Sequence, residues 1–217
     1  DYYCWDDNEE IRAKLQNCNN KANLVNPINL DLQLINECFV TPGISFDNSK
    51  IKILKRNKIN LFRDLELYAR LTKGKKIIAV TGTNGKSTTT KLISDILKLN
   101  NIQNFAGGNI GLPLLDYKKF NNKIKFHVIE LSSFQLESAI SFNPFISILL
   151  NISPDHLDRY KSFSDYILQK EKIINLNKNG FNIISLNDPN TLNIYKKNKK
   201  NFIPISNKPI EKGVYFK

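Results

Sequence analysis

From residue 75 onward, apolar runs of strand length alternate with stretches of helical pattern, and this alternation restricts the fold more than any other feature. The strand candidates are "KIIAVTG", "KFHVIEL", "FISILLNI" and "FNIISL", and a helical stretch follows each of them. Continuous apolar strands separated by helices are what a parallel sheet covered on both faces requires. The sequence therefore predicts an α/β fold with a mostly parallel sheet flanked by helices.

Residues 1–72 show a weaker pattern of strands and helices, with helices predicted at residues 8–16 and 61–72. A glycine after a run of helical pattern indicates a break, so we place a domain boundary near Lys73-Gly74. The sequence thus predicts two domains, one over residues 1–72 and one over residues 73–217.

Composition excludes several classes of function. No run approaches the roughly 18 apolar residues of a membrane span, and the first ten residues are acidic where a secretory signal would be basic, so we expect a cytoplasmic protein without a membrane partner. The net charge of +12 comes from lysines spread along an Asn- and Ile-rich chain, which does not indicate a nucleic-acid partner. The three cysteines lack metal or redox spacing. Because the chain contains no methionine, we expect it to be an internal piece of a longer protein.

The stretch "TGTNGKSTTT" predicts a phosphate-binding loop between a strand at residues 76–81 and a helix at residues 86–99. Glycines there let backbone N–H groups turn around a phosphate, and the helix N-terminus adds its positive end. Lys86 would reach the terminal phosphates, and a hydroxyl of Ser87 or Thr88 would ligate Mg²⁺. A plain glycine turn with capping hydroxyls is the alternative, and kinases, switches and ligases share this loop. The predicted nucleotide-binding residues are Gly82, Thr83, Asn84, Gly85, Lys86, Ser87 and Thr88.

Two further strands end in polar residues at the same predicted edge of the sheet. Glu130 follows an apolar run, where a carboxylate would suit the Mg²⁺ of a nucleotide, although a solvated acid is the alternative. Ser132 and Ser133 would serve equally as helix caps. The following strand leads into "NISPDHLDRY", which offers Asn151, Asp155, His156, Asp158 and Arg159.

Residues 106–114, "AGGNIGLPL", predict a loop held close to a ligand, with Asn109 donating its side-chain amide. An ordinary glycine turn is the alternative. Of the two histidines, His127 lies within a predicted strand and is expected to be packed or edge-exposed. His156 lies on a loop, where it would ligate a metal or touch a phosphate.

Taken in order, "TGTNGKSTTT", "GGNIGLPLL", "ELSSFQLE", "NISPDHLDRY" and "YILQKEKI" resemble the Mur ligase family. The short loop G-x-x-G-K-[ST] is a hallmark of that family, and "SSFQLE" and "DHLDRY" are similar to its D-glutamate-adding members. The resemblance implies a monomeric, ATP-dependent amide ligase of peptidoglycan precursor synthesis, with a Rossmann-like N-terminal domain for the uridine nucleotide. It would phosphorylate UDP-N-acetylmuramoyl-L-alanine and pass the acyl group to D-glutamate.

The same resemblance implies roles for individual residues. Lys86 would contact the γ-phosphate of ATP, Ser87 and Glu130 would hold its Mg²⁺, and His156 would bind a second Mg²⁺. The residues implied for substrate binding are Thr41, Gly43, Asn109, Ser132 and His156.

Lys170 is implied to carry a carbamate made from CO₂, which would bridge toward the second Mg²⁺. A protonated lysine would repel a metal, whereas a carbamate supplies anionic oxygen. From the residues alone Lys170 is one lysine among many on a solvated helix face. Its spacing after Tyr166 favours the functional interpretation.

The resemblance does not cover the whole of the three-domain family. It leaves out the start of the first domain, the end of the central domain and the whole C-terminal domain. We therefore expect that the chain alone does not turn over. Two alternatives stay open, namely a family member that adds a different amino acid or adds glutamate to folate, and a nucleotide-binding module without catalysis. A binding module has no need for Glu130, His156 and Lys170 together, which argues against the second alternative.

Overall fold

The computed structural model describes residues 2–18, 23–119, 124–198 and 201–216. It divides into two compact units, Asp1–Leu61 and Phe62–Lys217. This division lies earlier than the boundary predicted near residue 73. The difference arises because the helix Asp64–Leu71 belongs to the larger core, to which it contributes Leu65, Tyr68 and Ala69.

The first unit consists of short elements around a small core. These are β1 Tyr3–Cys4, α1 Glu9–Cys18, β2 Asn23–Leu24, β3 Glu37–Phe39, α2 Ser49–Arg56 and β4 Asn60–Phe62, with 3₁₀ helices at Pro27–Asn29 and Leu32–Leu34. β1 and β2 pair in parallel, so with α1 they form one βαβ unit. The helix predicted from residue 61 begins only at Asp64, because Leu61 and Phe62 lie in β4.

The second unit contains a seven-stranded sheet in the order β11-β10-β9-β8-β5-β7-β6, and its neighbouring strands pair in parallel. This confirms the predicted α/β fold. Its elements are α3 Asp64–Leu71, β5 Lys76–Thr81, α4 Lys86–Leu99, β6 Asn104–Gly108, a 3₁₀ helix at Leu114–Lys119, β7 Phe126–Glu130, α5 Ser133–Leu136, β8 Ile146–Leu149, α6 Phe163–Leu176, β9 Phe181–Ser185, α7 Pro189–Lys197, β10 Phe202–Ser206 and β11 Val214–Tyr215.

Strand β5 is buried on both faces of the sheet. Ile77 and Ala79 belong to the larger core cluster, whereas Ile78 and Val80 belong to a second cluster with Ile93 and Leu97 of α4. Successive side chains of a strand point to opposite faces, so a continuous apolar run supplies both cores. The described residues include no helix with the length and apolar character that crossing a membrane requires.

The order of the strands brings three loops together. β5 lies between β7 and β8, and the chain passes from β7 to β8 across it. The carboxyl ends of these three strands therefore meet at a point where the connections diverge, which is where open α/β sheets bind ligands. Thr81, Glu130 and Leu149 are the last residues of the three strands.

Part of the stretch predicted as a ligand loop is strand. Residues 106–108 are the end of β6, and the loop begins only at Asn109. Both glycines are needed for close packing, since a Cβ at Gly107 would lie 2.4 Å from the Leu112 carbonyl oxygen, and one at Gly108 would lie 2.2 Å from that of Glu130. The glycines therefore fit β6 against its neighbours, as they do at close backbone approaches elsewhere.

Candidate nucleotide and metal site

The loop between β5 and α4 ends in a helix N-terminus that is suited to anions. Gly85 precedes the helix with φ +81°, a left-handed conformation that favours glycine. The first intrahelical bond is donated by the Thr89 N–H to the Gly85 carbonyl at 3.0 Å. The N–H groups of the preceding helical residues lack an intrahelical acceptor, and the helix dipole adds positive potential there. This geometry matches the predicted phosphate loop.

Two lysines donate to consecutive carbonyls of this loop. Lys86 Nζ donates to the Thr83 carbonyl at 2.8 Å, and Lys170 Nζ, from α6, donates to the Gly82 carbonyl at 2.7 Å. Lys170 is only 2% exposed, which excludes the alternative of a solvated helix face. Burial, reinforced by the charge of Lys86, lowers the pKa of Lys170 to about 7 against the opposing effect of Asp155 and Glu130. Near neutral pH, Lys170 is therefore a neutral amine in a large fraction of the molecules.

Glu130 connects the loop to the next strand. Its carboxylate accepts a hydrogen bond from Ser87 Oγ at 2.8 Å on one oxygen and from Asn109 Nδ2 at 3.0 Å on the other. Glu130 is 1% exposed, which excludes the solvated acid. Of the two candidate hydroxyls, it is that of Ser87 that contacts the carboxylate.

The donor set at Glu130 suits a hard cation. Mg²⁺ takes oxygen ligands, commonly one or two carboxylates completed by water and substrate phosphates. Within the described part of the chain, no three His, Cys, Asp or Glu side chains form a metal-binding group. An ion at this position would therefore be held by Ser87 and Glu130 from the protein and by phosphate oxygens from a nucleotide.

His156 lies in the middle of the connection between β8 and α6, with φ +52°. Its side chain is 51% exposed, and Nε2 lies 3.5 Å from a carboxylate oxygen of Asp155. Its ring lies 5.1 Å from that of Phe134, and the guanidinium of Arg159 lies 4.0 Å from the same ring. The Ser153 N–H of the same segment donates to Thr83 Oγ1 at 3.0 Å, so this segment lies against the phosphate loop.

Other predicted residues have local partners. Ser132 is the N-cap of α5 and forms a capping box with Gln135, so the capping alternative is confirmed for it. Its role in substrate binding stays a prediction, as does that of Asn109, whose amide donates to Glu130. Thr41 and Gly43 lie in the first unit, where a turn is closed by the Ile44 N–H and the Thr41 carbonyl at 3.1 Å.

Two contacts to the loop had no assigned role in the sequence. Asn151 bonds the backbone of Thr83 and Asn84, and Tyr166 Oη lies 3.1 Å from Thr83 Oγ1. Tyr166 and Lys170 are four residues apart on α6, so one helix turn brings both to the loop. That spacing is the signal from which the contact of Tyr166 was predictable.

A cavity of about 310 Å³ adjoins the loop. Asn84, Gly85 and Thr89 line its side next to the loop, and its remaining walls come from β8, β9 and β10 with the residues that follow β8. The side chains there include Leu150, Ile183 and Ser185. Its lining combines apolar side chains with a few polar groups.

Comparisons of this chain with known proteins point to one family. Residues 80–215 match the model of the Mur ligase middle domain. The UDP-N-acetylmuramoylalanine–D-glutamate ligase of Wolbachia pipientis wMel is 40% identical over 206 residues, which cover 94% of this chain and 40% of that protein. The enzyme of the same name from Rickettsia bellii is 37% identical over 216 residues, 97% of this chain and 47% of that protein. The chain therefore spans less than half the length of these curated relatives.

A solved structure shares the fold. MurF ligase from Thermotoga maritima in complex with ADP superposes with a TM-score of 0.54 at 16% identity, over 83% of this chain and 50% of that one.

Proposed function

This chain belongs to the Mur ligase family, and from that premise we propose that it provides the ATP and Mg²⁺ centre of a ligase that adds D-glutamate to UDP-N-acetylmuramoyl-L-alanine. The observation that carries the proposal is the convergence of Lys86, Glu130 and Lys170 at the carboxyl ends of β5 and β7 and on the facing helix α6. The names of the relatives at 40% and 37% identity support D-glutamate as the added amino acid.

The chemistry requires cations at this edge. A carboxylate is a poor electrophile, so its oxygen must receive the γ-phosphoryl group of ATP before an amine can displace it. Bringing two anions together costs electrostatic energy that Lys86 and the N-terminus of α4 would offset. Ser87 and Glu130 would hold the Mg²⁺, which when bound neutralises phosphate charge and orients the oxygens. The nucleotide base would extend into the adjoining cavity.

Lys170 would act as a carbamate in this site. A neutral lysine amine attacks the carbon of CO₂, and the N–C bond forms as one C=O π bond opens to place charge on oxygen. The nitrogen then gives a proton to solvent water, which leaves an anionic carbamate. The pKa of about 7 and the burial of Lys170 supply the neutral amine. The carbamate oxygens, together with His156, would suit a second Mg²⁺.

We expect a carbamate signal when the protein is incubated with ¹³C-bicarbonate and followed by ¹³C NMR. The signal should grow as pH rises through about 7 and disappear in Lys170→Arg, which keeps the cation but cannot be carbamylated. Lys172→Arg is the matched control, because Lys172 lies on the same helix and burial also lowers its pKa. A carbamate that persists in Lys170→Arg, or none in the unchanged protein, would reject this role.

The reaction itself is tested with the complete product of the gene. We expect phosphate release that requires ATP, UDP-N-acetylmuramoyl-L-alanine and D-glutamate, from a cytoplasmic monomer. Incorporation of L-lysine, meso-diaminopimelate or a folate acceptor instead would replace the proposed substrates. The 217-residue chain is expected to bind MgATP without turnover.

A further inference from the structure

The side chain of Asn151 bonds both backbone polar groups of Asn84 in the phosphate loop. Its Oδ1 accepts the Asn84 N–H at 2.8 Å and the Thr83 N–H at 3.2 Å, while its Nδ2 donates to the Asn84 carbonyl at 3.0 Å. The Asn151 carbonyl also accepts the Thr83 N–H at 2.9 Å. The end of β8 is thus bonded to the loop at both of its central residues.

Gly82 makes this approach possible. A Cβ at that position would lie 3.0 Å from Leu150 Cβ and 3.4 Å from the Asn151 nitrogen. The segment after β8 therefore lies directly against the loop. Any side chain at position 82 would crowd Leu150 and Asn151 in that segment. This packing brings the carboxamide of Asn151 within hydrogen-bonding distance of the loop backbone.

This arrangement divides the amides of the loop into two groups. The N–H groups of Thr83 and Asn84 point to Asn151, whereas those of Gly85 and of the first residues of α4 remain for an anion. We propose that Asn151 is a positioning residue, which holds the loop in its phosphate-binding shape and confines the phosphate cradle to the N–H groups of residues 85–88. The proposal rests on the nucleotide site proposed above and adds a residue that acts through the loop.

The carboxamide suits this task better than its nearest analogues. An amide presents an acceptor and a donor at once, and the loop needs both. An ionised aspartate accepts but does not donate, and it would add a negative charge beside the phosphates. A loop that is already held in the bound shape loses less entropy when the ligand binds, so the three side-chain bonds should appear as nucleotide affinity.

The test is calorimetric titration of MgATP into the 217-residue chain. We expect Asn151→Ala and Asn151→Asp each to weaken binding by about tenfold or more, the scale of one or two lost hydrogen bonds. Asn190→Ala is the matched control, because Asn190 donates to the nearby Ile152 carbonyl at 2.7 Å without touching the loop. Its affinity should stay within about twofold of the unchanged chain, even though it loses a comparable bond.

The pH dependence of Asn151→Asp separates positioning from general damage. A protonated aspartic acid regains a donor and loses its charge, so the deficit relative to the unchanged chain should shrink as pH falls from about 6 toward the ordinary aspartic acid pKa of about 4. Asn151→Ala has no group that could restore the bond, so its deficit should stay constant. A deficit in Asn151→Asp that does not change with pH would overturn the proposal.

Amide hydrogen exchange gives a readout that does not depend on the variants folding. Without nucleotide, the N–H groups of Thr83 and Asn84 should already exchange slowly, and MgATP should mainly protect residues 85–88. Fast exchange at Thr83 and Asn84, or unchanged affinity in folded Asn151→Ala, would overturn the role of Asn151. Absence of MgATP binding in the unchanged chain would instead reject the nucleotide site, while slow exchange at the two amides would still uphold the contact.

Discussion

The two ends of strand β7 each bury an ionisable group, but they bury it in different surroundings. Near the amino end, His127 is 1% exposed, and its Nδ1 shares a hydrogen bond of 2.7 Å with the hydroxyl of Tyr68. The rings of Phe105 and Tyr117 lie 5.7 Å and 5.3 Å from its ring. At the carboxyl end, Glu130 is equally buried, but its partners Ser87 and Asn109 are side chains on loops and on a helix N-terminus.

The difference shows that burial and a shifted pKa do not by themselves mark a functional site. Burial lowers the pKa of His127 to about 4 and that of Lys170 to about 7. His127 is enclosed by aromatic rings, which leave no space for a ligand to approach it. Lys170 lies beside a second cation, two carboxylates and a helix N-terminus, where an anion would be stabilised. We therefore expect the first group to affect stability, whereas the second is the one we propose for chemistry.

The largest effect expected at the carboxyl end comes from Gly108→Ala. The new Cβ would lie 2.2 Å from the Glu130 carbonyl oxygen, and φ is +118°, so the variant should lose about 3 kcal/mol or more of unfolding free energy. Urea denaturation measures the loss. Gly74→Ala is the control, since its φ is +84° with nothing within 4 Å, and it should lose only about 1 kcal/mol. Equal losses in the two variants would show that the contact with β7 is unimportant.

Tyr68→Phe tests the amino end. It leaves the buried Nδ1 of His127 without its hydrogen-bond partner and should lower the unfolding free energy by about 1–2 kcal/mol. The affinity for MgATP should not change, because the cluster lies at the opposite end of the strand. Tyr117→Phe is the matched control, whose hydroxyl makes an exposed bond of 3.3 Å to the Leu71 carbonyl. A parallel loss of affinity in Tyr68→Phe would remove the distinction between the two ends.

An effect spread over a range of pH is expected from the titration of His127. Its folded pKa of about 4 lies below its ordinary value of 6.5, so between these values the unfolded chain binds the proton more tightly. The resulting stability is complete above pH 6.5 and is lost progressively as pH falls toward 4. His127→Phe should therefore show a shallower decrease in unfolding free energy over this range than the unchanged chain, as measured by denaturation at several pH values. Identical slopes would show that His127 is not held neutral by the fold.

The bounds of strands and helices were predicted best where the local sequence pattern and the tertiary contacts favour the same element. The strand Lys76–Thr81 and the helix Lys86–Leu99 have the predicted bounds, because the apolar run ends at the glycine loop and the helix starts at Lys86. The strand at residues 104–108 was missed, because glycines usually indicate a loop and here they serve close packing with β7 and Leu112.

The sequence identified the main residues of the candidate site, but it did not identify all of the residues that contact them. Motif spacing identified Lys86, Glu130 and Lys170, since each is anchored to a strand end or to a helix face of regular geometry. The role of Asn151 depends on how closely β8 approaches the loop, which is a tertiary distance that no local pattern encodes. The burial of Lys170 likewise follows from the packing of α6 against the sheet rather than from its neighbours in the chain.

The most direct test of the account is the affinity of this chain for ATP measured with and without Mg²⁺. We predict saturable binding that Mg²⁺ strengthens, and we expect this strengthening to disappear in Glu130→Gln, which keeps the shape of the side chain but removes the charge. Tyr68→Phe, at the other end of β7, should bind like the unchanged chain. An equal response to Mg²⁺ in Glu130→Gln, or no saturable binding of ATP at all, would contradict the assignment of this strand edge as the nucleotide and metal site.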